Sequence, residues 1–532
     1  MSTNETKKPD VIRDERGVSL LKKKRSGILG ILFSPMGVVL LLRALGIVII
    51  GCVISLLAEF IVQSILVAVL FDIIIIVYIL NSKDDATAKI AWLMVCAVFP
   101  VIGGLFYIYI HTNFGMRAMK KRSNELVAEN MKAVPQDPKV LADLKKDDIG
   151  TSQIAHYMAS AGCHPVCANT AVKYYPFGED KWKDLLEDFK KAKKFIFLEY
   201  FIVEEGLMWG KMLEILEQKA AEGVDVRFIY DGTCEFVLVP RKYPKLLAGL
   251  GIKAKVFDRL TPLVSSAYNY RNHRKIAVID GKVAYTGGVN LADEYINAKE
   301  VFGHWKDTAV RMEGPAVDPF TLMFLEDWNL DEEKPFVDHS FLGHSEPQKA
   351  NGLVIPLGET PLDDERTAEN MYIDFLNRAK RYVHIMSPYL ILDGEMETAL
   401  CFAAQRGVDV KLLMPGIPDK KMVYALAWTY FGRLMEAGVK IYTYTPGFVH
   451  AKSFVADDER AFVGTINLDY RSLYHHYECG AYLYKTDCVA DVERDFQKTL
   501  KECELVTPER INKRSLGSKI IGPVARIIAP LL

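Results

Sequence analysis

His273 to Asn290 reads HRKIAVIDGKVAYTGGVN, and His450 to Asn467 reads HAKSFVADDERAFVGTIN. Both stretches follow one spacing, H-x-K-x4-D-x6-G-x2-N. In a strand, residues two apart share a face, so each histidine stands beside its own lysine while the residues that follow alternate into a core. Asp280-Gly281 and Asp457-Asp458 are turn signals, and a hairpin folded at each would return Asn290 and Asn467 towards the histidines. The small residues Gly287, Gly288, Gly464 and Thr465 predict room for a ligand to approach the backbone.

Working outward, the similarity extends beyond the motifs. Phe195 to Val203 reads as a strand, Met208 to Glu222 as a helix, and GVDVRFIYD from Gly223 as a second strand. The same order recurs at Tyr382 to Leu392, Met396 to Arg406, and GVDVKLLMP from Gly407. Gly223 and Gly407 each stand where a helix should end in a left-handed residue. Strands alternating with helices, twice over, predict an α/β chain made of two related halves.

A single histidine beside a lysine is bland, but two copies at one spacing suit attack on a phosphodiester. Its transition state gathers negative charge on oxygens, which fixed cations and amide donors stabilise. Lys275, Lys452, Asn290 and Asn467 fit that phosphate-binding role. One imidazole can attack phosphorus and form a phosphohistidine, while the other protonates the leaving alkoxide and later deprotonates the acceptor. No metal or cofactor is required. Cys163-His164 with Cys167 lacks the second ligand pair of a zinc site.

The duplicated motif resembles that of the phospholipase D superfamily, and the surrounding text is similar to bacterial cardiolipin synthases. HWKDTAVRMEGPAV from His304, SPYLILDGEMETALCFAAQRGVDV from Ser387 and AWLMVCAVFPVIGGLFYIYI from Ala91 carry the resemblance besides the motifs. It implies two halves about a pseudo-twofold axis sharing one active site, with His273 as nucleophile and His450 as general acid and base. Asp280 and Asp457 are then structural members of the catalytic motifs, and Asp307 and Glu478 orient the imidazoles. The implied reaction joins two phosphatidylglycerol molecules, donor and acceptor, into cardiolipin with release of glycerol; the alternative is hydrolysis of a headgroup to phosphatidic acid. His475-His476-Tyr477 before Glu478, and Gly-Thr in place of Gly-Gly, depart from the pattern.

The front of the chain supplies the membrane context. Residues 38–80 are almost unbroken Leu, Ile, Val, Ala, Phe and Gly, and a second apolar run covers 90–110. A bilayer core of roughly 30 Å takes about 20 helical residues, which predicts three helices, near 38–58, 62–80 and 90–110, in a multi-pass protein of the cell membrane; Arg43 in the first either snorkels from a third span or marks a stretch lying in the interface, with two spans crossing. Basic clusters at Lys22 to Arg25 and Arg117 to Arg122 would flank opposite ends of three spans, so charge does not set the topology. The expected organisation is a basic tail (1–37), a membrane region (38–110), a connector (111–149), two phospholipase D-like halves (150–345 and 346–510) and an amphipathic C-terminal segment (511–532). The last either lies on an anionic membrane surface or packs on the domain.

Across 532 residues, 66 Lys and Arg against 67 Asp and Glu leave no basic excess for a nucleic-acid partner. The tyrosines of SAYNYRNH from Ser266 either line a lipid entrance or belong to a packed loop, and the charge run Lys181 to Lys194 reads as a solvated face. Composition says nothing of the oligomeric state.

Overall fold

The computed structural model describes residues 11–13, 19–21, 43, 45–52, 61–111, 114–161, 164–258, 270–330, 332, 337–363 and 365–531. Two mixed sheets dominate. The first has the spatial order Ala171–Tyr175, Ala309–Glu313, Val283–Gly287, Lys275–Ile279, Phe195–Tyr200, Asp225–Asp231 and Lys253–Phe257. The second runs Leu353–Glu359, Glu478–Tyr484, Arg460–Gly464, Ser453–Ala456, Tyr382–Met386, Asp409–Pro415, Lys440–Tyr444 and Cys503–Leu505. Apart from the extra edge strand, the orders are the same, so the repeat seen in sequence is a repeat of topology. Each sheet is parallel where helical crossovers join its strands, as through Leu207–Ala221 and Gly394–Gln405, and antiparallel where the motif hairpins insert.

The central strands are buried on both faces, which is why they are runs of Val, Ile, Phe and Ala. Ile276 and Val278 face one core, whereas Ala277 and Ile279 face another. The first of these cores is common property. It contains Phe197, Ile276, Ala284 and Val310 from one half and Val455, Ala461, Cys479 and Leu483 from the other, so the two sheets pack face to face.

The turn signals hold. Asp280 and Gly281 have φ of 53° and 62°, and Asp457 and Asp458 have 57° and 61°, the left-handed pair of a tight hairpin turn. Gly223 and Gly407, at φ 91° and 90°, close their helices as expected.

The membrane region departs from expectation. Helix Ile61–Leu80 is the one helix, among the described residues, long and apolar enough to cross a membrane. The run at 90–110 is instead two helices, Ala86–Val98 and Ile102–His111. Pro100 has no N–H and disfavours helix at the residue before it, so the run breaks there. Val101 then takes φ 63° and donates its N–H to Asp72 Oδ1 at 2.9 Å, the single acid of the long helix. A Cβ at Gly103 would lie 2.8 Å from the Cys96 Cα, so the hairpin closes only around glycine. At about 1.5 Å per residue, neither arm matches a roughly 30 Å bilayer core. Of the expected span at 38–58, only residue 43 and residues 45–52 are described, and they are helical. The rest of that span, the Lys22 to Arg25 cluster, Cys163 and the tyrosine loop up to residue 269 lie outside the described residues.

At the C-terminus, Leu516–Ile528 packs on Lys421–Glu436. The approach is close at Gly522, where a Cβ would meet the Ala425 carbonyl oxygen at 2.5 Å. The opposite face leaves Leu516, Ile520, Ile521 and Val524 exposed. The segment therefore packs on the domain by one face, as one of the two expectations had it.

Candidate active site

The two histidines stand where each half leans on the other. Gly447–Val449 forms a parallel ladder with His304–Lys306, and the His450 N–H continues it to the Lys306 carbonyl at 2.7 Å. On the related side Asn272 bridges Tyr477, and the His273 N–H donates to the Tyr477 carbonyl at 2.9 Å. These contacts exchange carboxylates between halves. His273 Nδ1 lies 2.9 Å from both oxygens of Glu478, and His450 Nδ1 lies 2.7 Å from Asp307 Oδ2. All four groups are buried. Each half thus carries one histidine and the carboxylate that holds the other half's histidine.

The lysines are equally enclosed. Lys275 Nζ donates to the His273 carbonyl at 2.6 Å, and Lys452 Nζ lies 2.8 Å from His450 Nδ1. Burial, opposed by Glu478, pulls Lys275 down to about 7, and burial opposed by Asp307 pulls Lys452 down to about 8. Burial and then Lys452 depress His450 to about 4, despite Asp307. Burial, followed by Lys275, holds His273 well below the usual range. Burial and the neighbouring lysines therefore favour the neutral form of both imidazoles, each with Nδ1 beside a carboxylate.

Asp280 and Asp457 sit outside this centre. Asp280 accepts the N–H groups of Lys193, Lys194 and Phe195 at 2.7 to 3.0 Å. Asp457 does the same for Lys380, Arg381 and Tyr382 at 2.8 to 3.0 Å. Each motif aspartate ties the hairpin turn to the start of the neighbouring parallel strand.

The small residues after the hairpins have a different purpose from the one their size suggests. A Cβ at Gly288 would overlap the Asp307 carboxylate, and one at Gly287 would overlap the backbone of Thr308 and Ala309. In the second half, the Thr465 hydroxyl donates to Glu478. At Gly288 the space serves the Asp307 carboxylate and at Gly287 and Gly464 the backbone of the next strand, and Gly-Gly against Gly-Thr is the difference between making room for Asp307 and bonding to Glu478. The two asparagines also differ. Asn290 accepts from the Ile202 N–H at 3.1 Å and donates to the Tyr295 hydroxyl at 2.8 Å, whereas the buried Asn467 Oδ1 has no partner among the described residues.

Two further groups belong here. Lys181, expected on a solvated face, is 2% exposed, donates to the Tyr200 hydroxyl at 2.9 Å and feels the Asp307 charge. Its helix, Gly178–Lys191, turns Lys181 inward together with Leu185, Asp188 and Phe189, which a charge count alone does not reveal. His476, in sequence only a departure from the pattern, has its ring centroid 5.5 Å from that of His273, and Nδ1 is 3.5 Å from Glu478 Oε1. It is 6% exposed, and neither ring nitrogen makes a hydrogen bond among the described residues. Trp305 occupies the related place, two residues before Asp307, at 5.4 Å from His450. With His273 and Glu478, His476 forms the one group of potential metal ligands at this centre among the described residues. A buried donor and acceptor beside His273 is costly to leave without partners. His476→Phe is expected to lower kcat about tenfold, whereas His476→Asn, which keeps a donor and an acceptor, retains most of the activity; steady-state assays of the two variants check this.

The comparisons with known proteins agree with this geometry. The family model described as cardiolipin synthase, PLD-like domain, matches residues 185–328 and 372–500, and a phospholipase D-nuclease N-terminal model matches 70–110. A cardiolipin synthase of Geobacillus thermodenitrificans is 34% identical over 469 residues, covering 87% of this chain and 92% of that one. Cardiolipin synthase 2 of Bacillus anthracis is 31% identical over 464 residues, 86% and 89% of the two chains. An uncharacterised protein of Streptococcus mutans is 52% identical over 465 residues, 86% of this chain and 99% of its own. Among solved structures, the phosphatidylserine synthase of Haemophilus influenzae shares the fold at a TM-score of 0.51 and 15% identity, over 68% of this chain and 95% of that one. Two interlocked HxK halves, matched in sequence over most of their length, place the chain in the phospholipase D-like cardiolipin synthase family.

Proposed function

We propose that the protein makes cardiolipin by moving a phosphatidyl group between two phosphatidylglycerol molecules, with release of glycerol. The observation that carries this reading is the pair of buried histidine–carboxylate contacts crossed between the halves, with a lysine beside each imidazole. Membership of the family makes the chain a phosphatidyltransferase, and one apolar helix supports membrane association.

In the first step, His273 Nε2 attacks phosphorus. The P–O bond to glycerol breaks and the leaving alkoxide takes a proton from His450. The phosphohistidine keeps its Nδ1 against Glu478. In the second step, the acceptor glycerol hydroxyl gives its proton back to His450 while its oxygen attacks phosphorus and the P–N bond breaks. Protons therefore balance over one cycle. His450 must be protonated when the donor is bound. The phosphodiester anion supplies the charge that offsets Lys275 and Lys452, and Asp307 holds the imidazolium once it forms.

The pH dependence follows with a definite sign. Lys275 at about 7 and Lys452 at about 8 are cations below those values and lose their charge above them. We expect kcat/KM to fall as pH rises from about 7 to 9, more steeply than one proton would give. Lys452→Arg, which cannot deprotonate in this range, should make the limb shallower. A flat profile over this range would contradict the assignment.

Product analysis tests the reaction itself. Purified protein with phosphatidylglycerol vesicles should give cardiolipin and glycerol in equal amounts, and His450→Ala should give neither. Phosphatidic acid as the main product would make the enzyme a hydrolase.

A further inference from the structure

A second cavity lies away from the histidines, on the side of the molecule that carries the apolar hairpin. It is an open groove of about 530 Å³ lined by the helices Ala86–Val98, Lys421–Glu436 and Leu516–Ile528. Its wall combines Ile90, Met94, Trp428 and Ile527 with two guanidinium groups, Arg514 and Arg526. None of the groups placed at the catalytic centre lines it.

The two arginines are not equally satisfied. Arg526 donates to Glu397 at 3.0 Å and lies over the Tyr430 ring, and Glu397 is shared with Arg433 at 3.5 Å. Arg514 has no carboxylate partner among the described residues. Its Nε donates to the Ile511 carbonyl at 3.1 Å and its guanidinium stands over Trp428, but its buried Nη1 has no partner among them. The carboxylates nearby are already engaged, Glu397 by Arg526 and Arg433 and Glu504 by Arg510. From Arg510 to the C-terminus there are five Lys and Arg residues and no Asp or Glu. The rim is apolar on both sides, with Ile90, Met94 and Val98 exposed on the hairpin and Ile520, Val524 and Ile527 exposed on the C-terminal helix.

An apolar cavity opening between exposed aliphatic rims, with an uncompensated guanidinium inside, matches a molecule that is anionic at one end and aliphatic at the other. We propose that this cavity holds one anionic glycerophospholipid, its phosphate on Arg514 and an acyl chain against Ile90, Met94 and Ile527. The site would register the anionic lipid of the surrounding bilayer independently of turnover, and it does not depend on which lipid reaction the histidines perform.

Gly432 offers a clean probe. It faces the cavity from a helix interior, and a Cβ there meets nothing within 4 Å, so Gly432→Phe fills the space without a backbone clash. Full-length protein in detergent would be labelled with phosphatidylglycerol bearing a photoreactive acyl chain, and the attached peptides mapped by mass spectrometry. Labelling of the 421–436 and 516–528 peptides is expected, reduced at least fivefold in Gly432→Phe and in Arg514→Gln, and competed by unlabelled phosphatidylglycerol. The same labelling should persist in His273→Gln, which separates this site from the catalytic one. Equal labelling by a phosphatidylcholine probe, or no reduction in either variant, would overturn the proposal. Competition by millimolar inorganic phosphate as effective as that by lipid would make it a free-anion site and overturn the lipid assignment as well.

Discussion

His273→Gln is expected to lose roughly 10^4-fold or more in turnover and to leave no lipid–enzyme adduct on acid quench. His273 Nδ1 is held by Glu478, which leaves Nε2 as the lone pair for the attack proposed above, and an amide in its place could not form that bond. His450 separates from it by a substrate that needs no acid. A phosphatidyl ester of p-nitrophenol leaves as a stabilised phenolate, so His450→Gln should still release nitrophenolate in a burst and accumulate the adduct, then stall because nothing deprotonates the acceptor. His273→Gln should give no burst. A burst from His273→Gln and none from His450→Gln would reverse the two roles. Loss of both bursts would mean that acid catalysis is not the function of His450.

What is legible in the chain, and what is not, divides along sequence distance. The motif hairpins are local, and their turn residues and alternation state the strand pairing outright. The repeat also reads directly, because GVDV and its flanking elements recur in order. The exchange of carboxylates is different in kind. Asp307 and His450 are 143 residues apart, and Glu478 and His273 are 205 apart. Each carboxylate can be named by resemblance, but nothing local says which histidine it serves. The buried Lys181 and Asp188 escape a sequence reading because a run of charges conceals the inward positions of an amphipathic helix. The broken helix at Pro100 has a visible signal, the proline itself, which an average over 20 apolar residues hides. Gly288 shows a subtler limit. Its smallness is evident, yet whether it makes room for a ligand or for Asp307 depends on a strand that returns some 20 residues later.

Asp280→Ala and Asp457→Ala are expected to be the largest losses of stability, although neither side chain belongs to the histidine centre. Each carboxylate accepts three backbone N–H groups at the point where a helix or turn feeds the first parallel strand of its sheet. Truncation removes the acceptor from three donors at once at a position where Asp280 is 7% and Asp457 is 5% exposed. At about 1 to 2 kcal/mol for each stranded donor, the cost is on the order of 4 kcal/mol. The alanine side chain must also adopt the left-handed φ of 53° or 57°, which aspartate tolerates better than alanine does. Asn variants keep an acceptor oxygen and the same φ preference, so they should recover more than half of the lost stability in thermal or denaturant unfolding. The consequence for activity is indirect. The hairpin strand that runs up to Asp280 begins at Lys275, two residues after His273, and the two sheets share a core, so loosening the hairpin displaces the contact with Glu478 in the other half. We therefore expect the Asn variants to regain kcat in step with stability. An Asp280→Asn protein as stable as the parent but inactive would show that the carboxylate acts on the reaction itself.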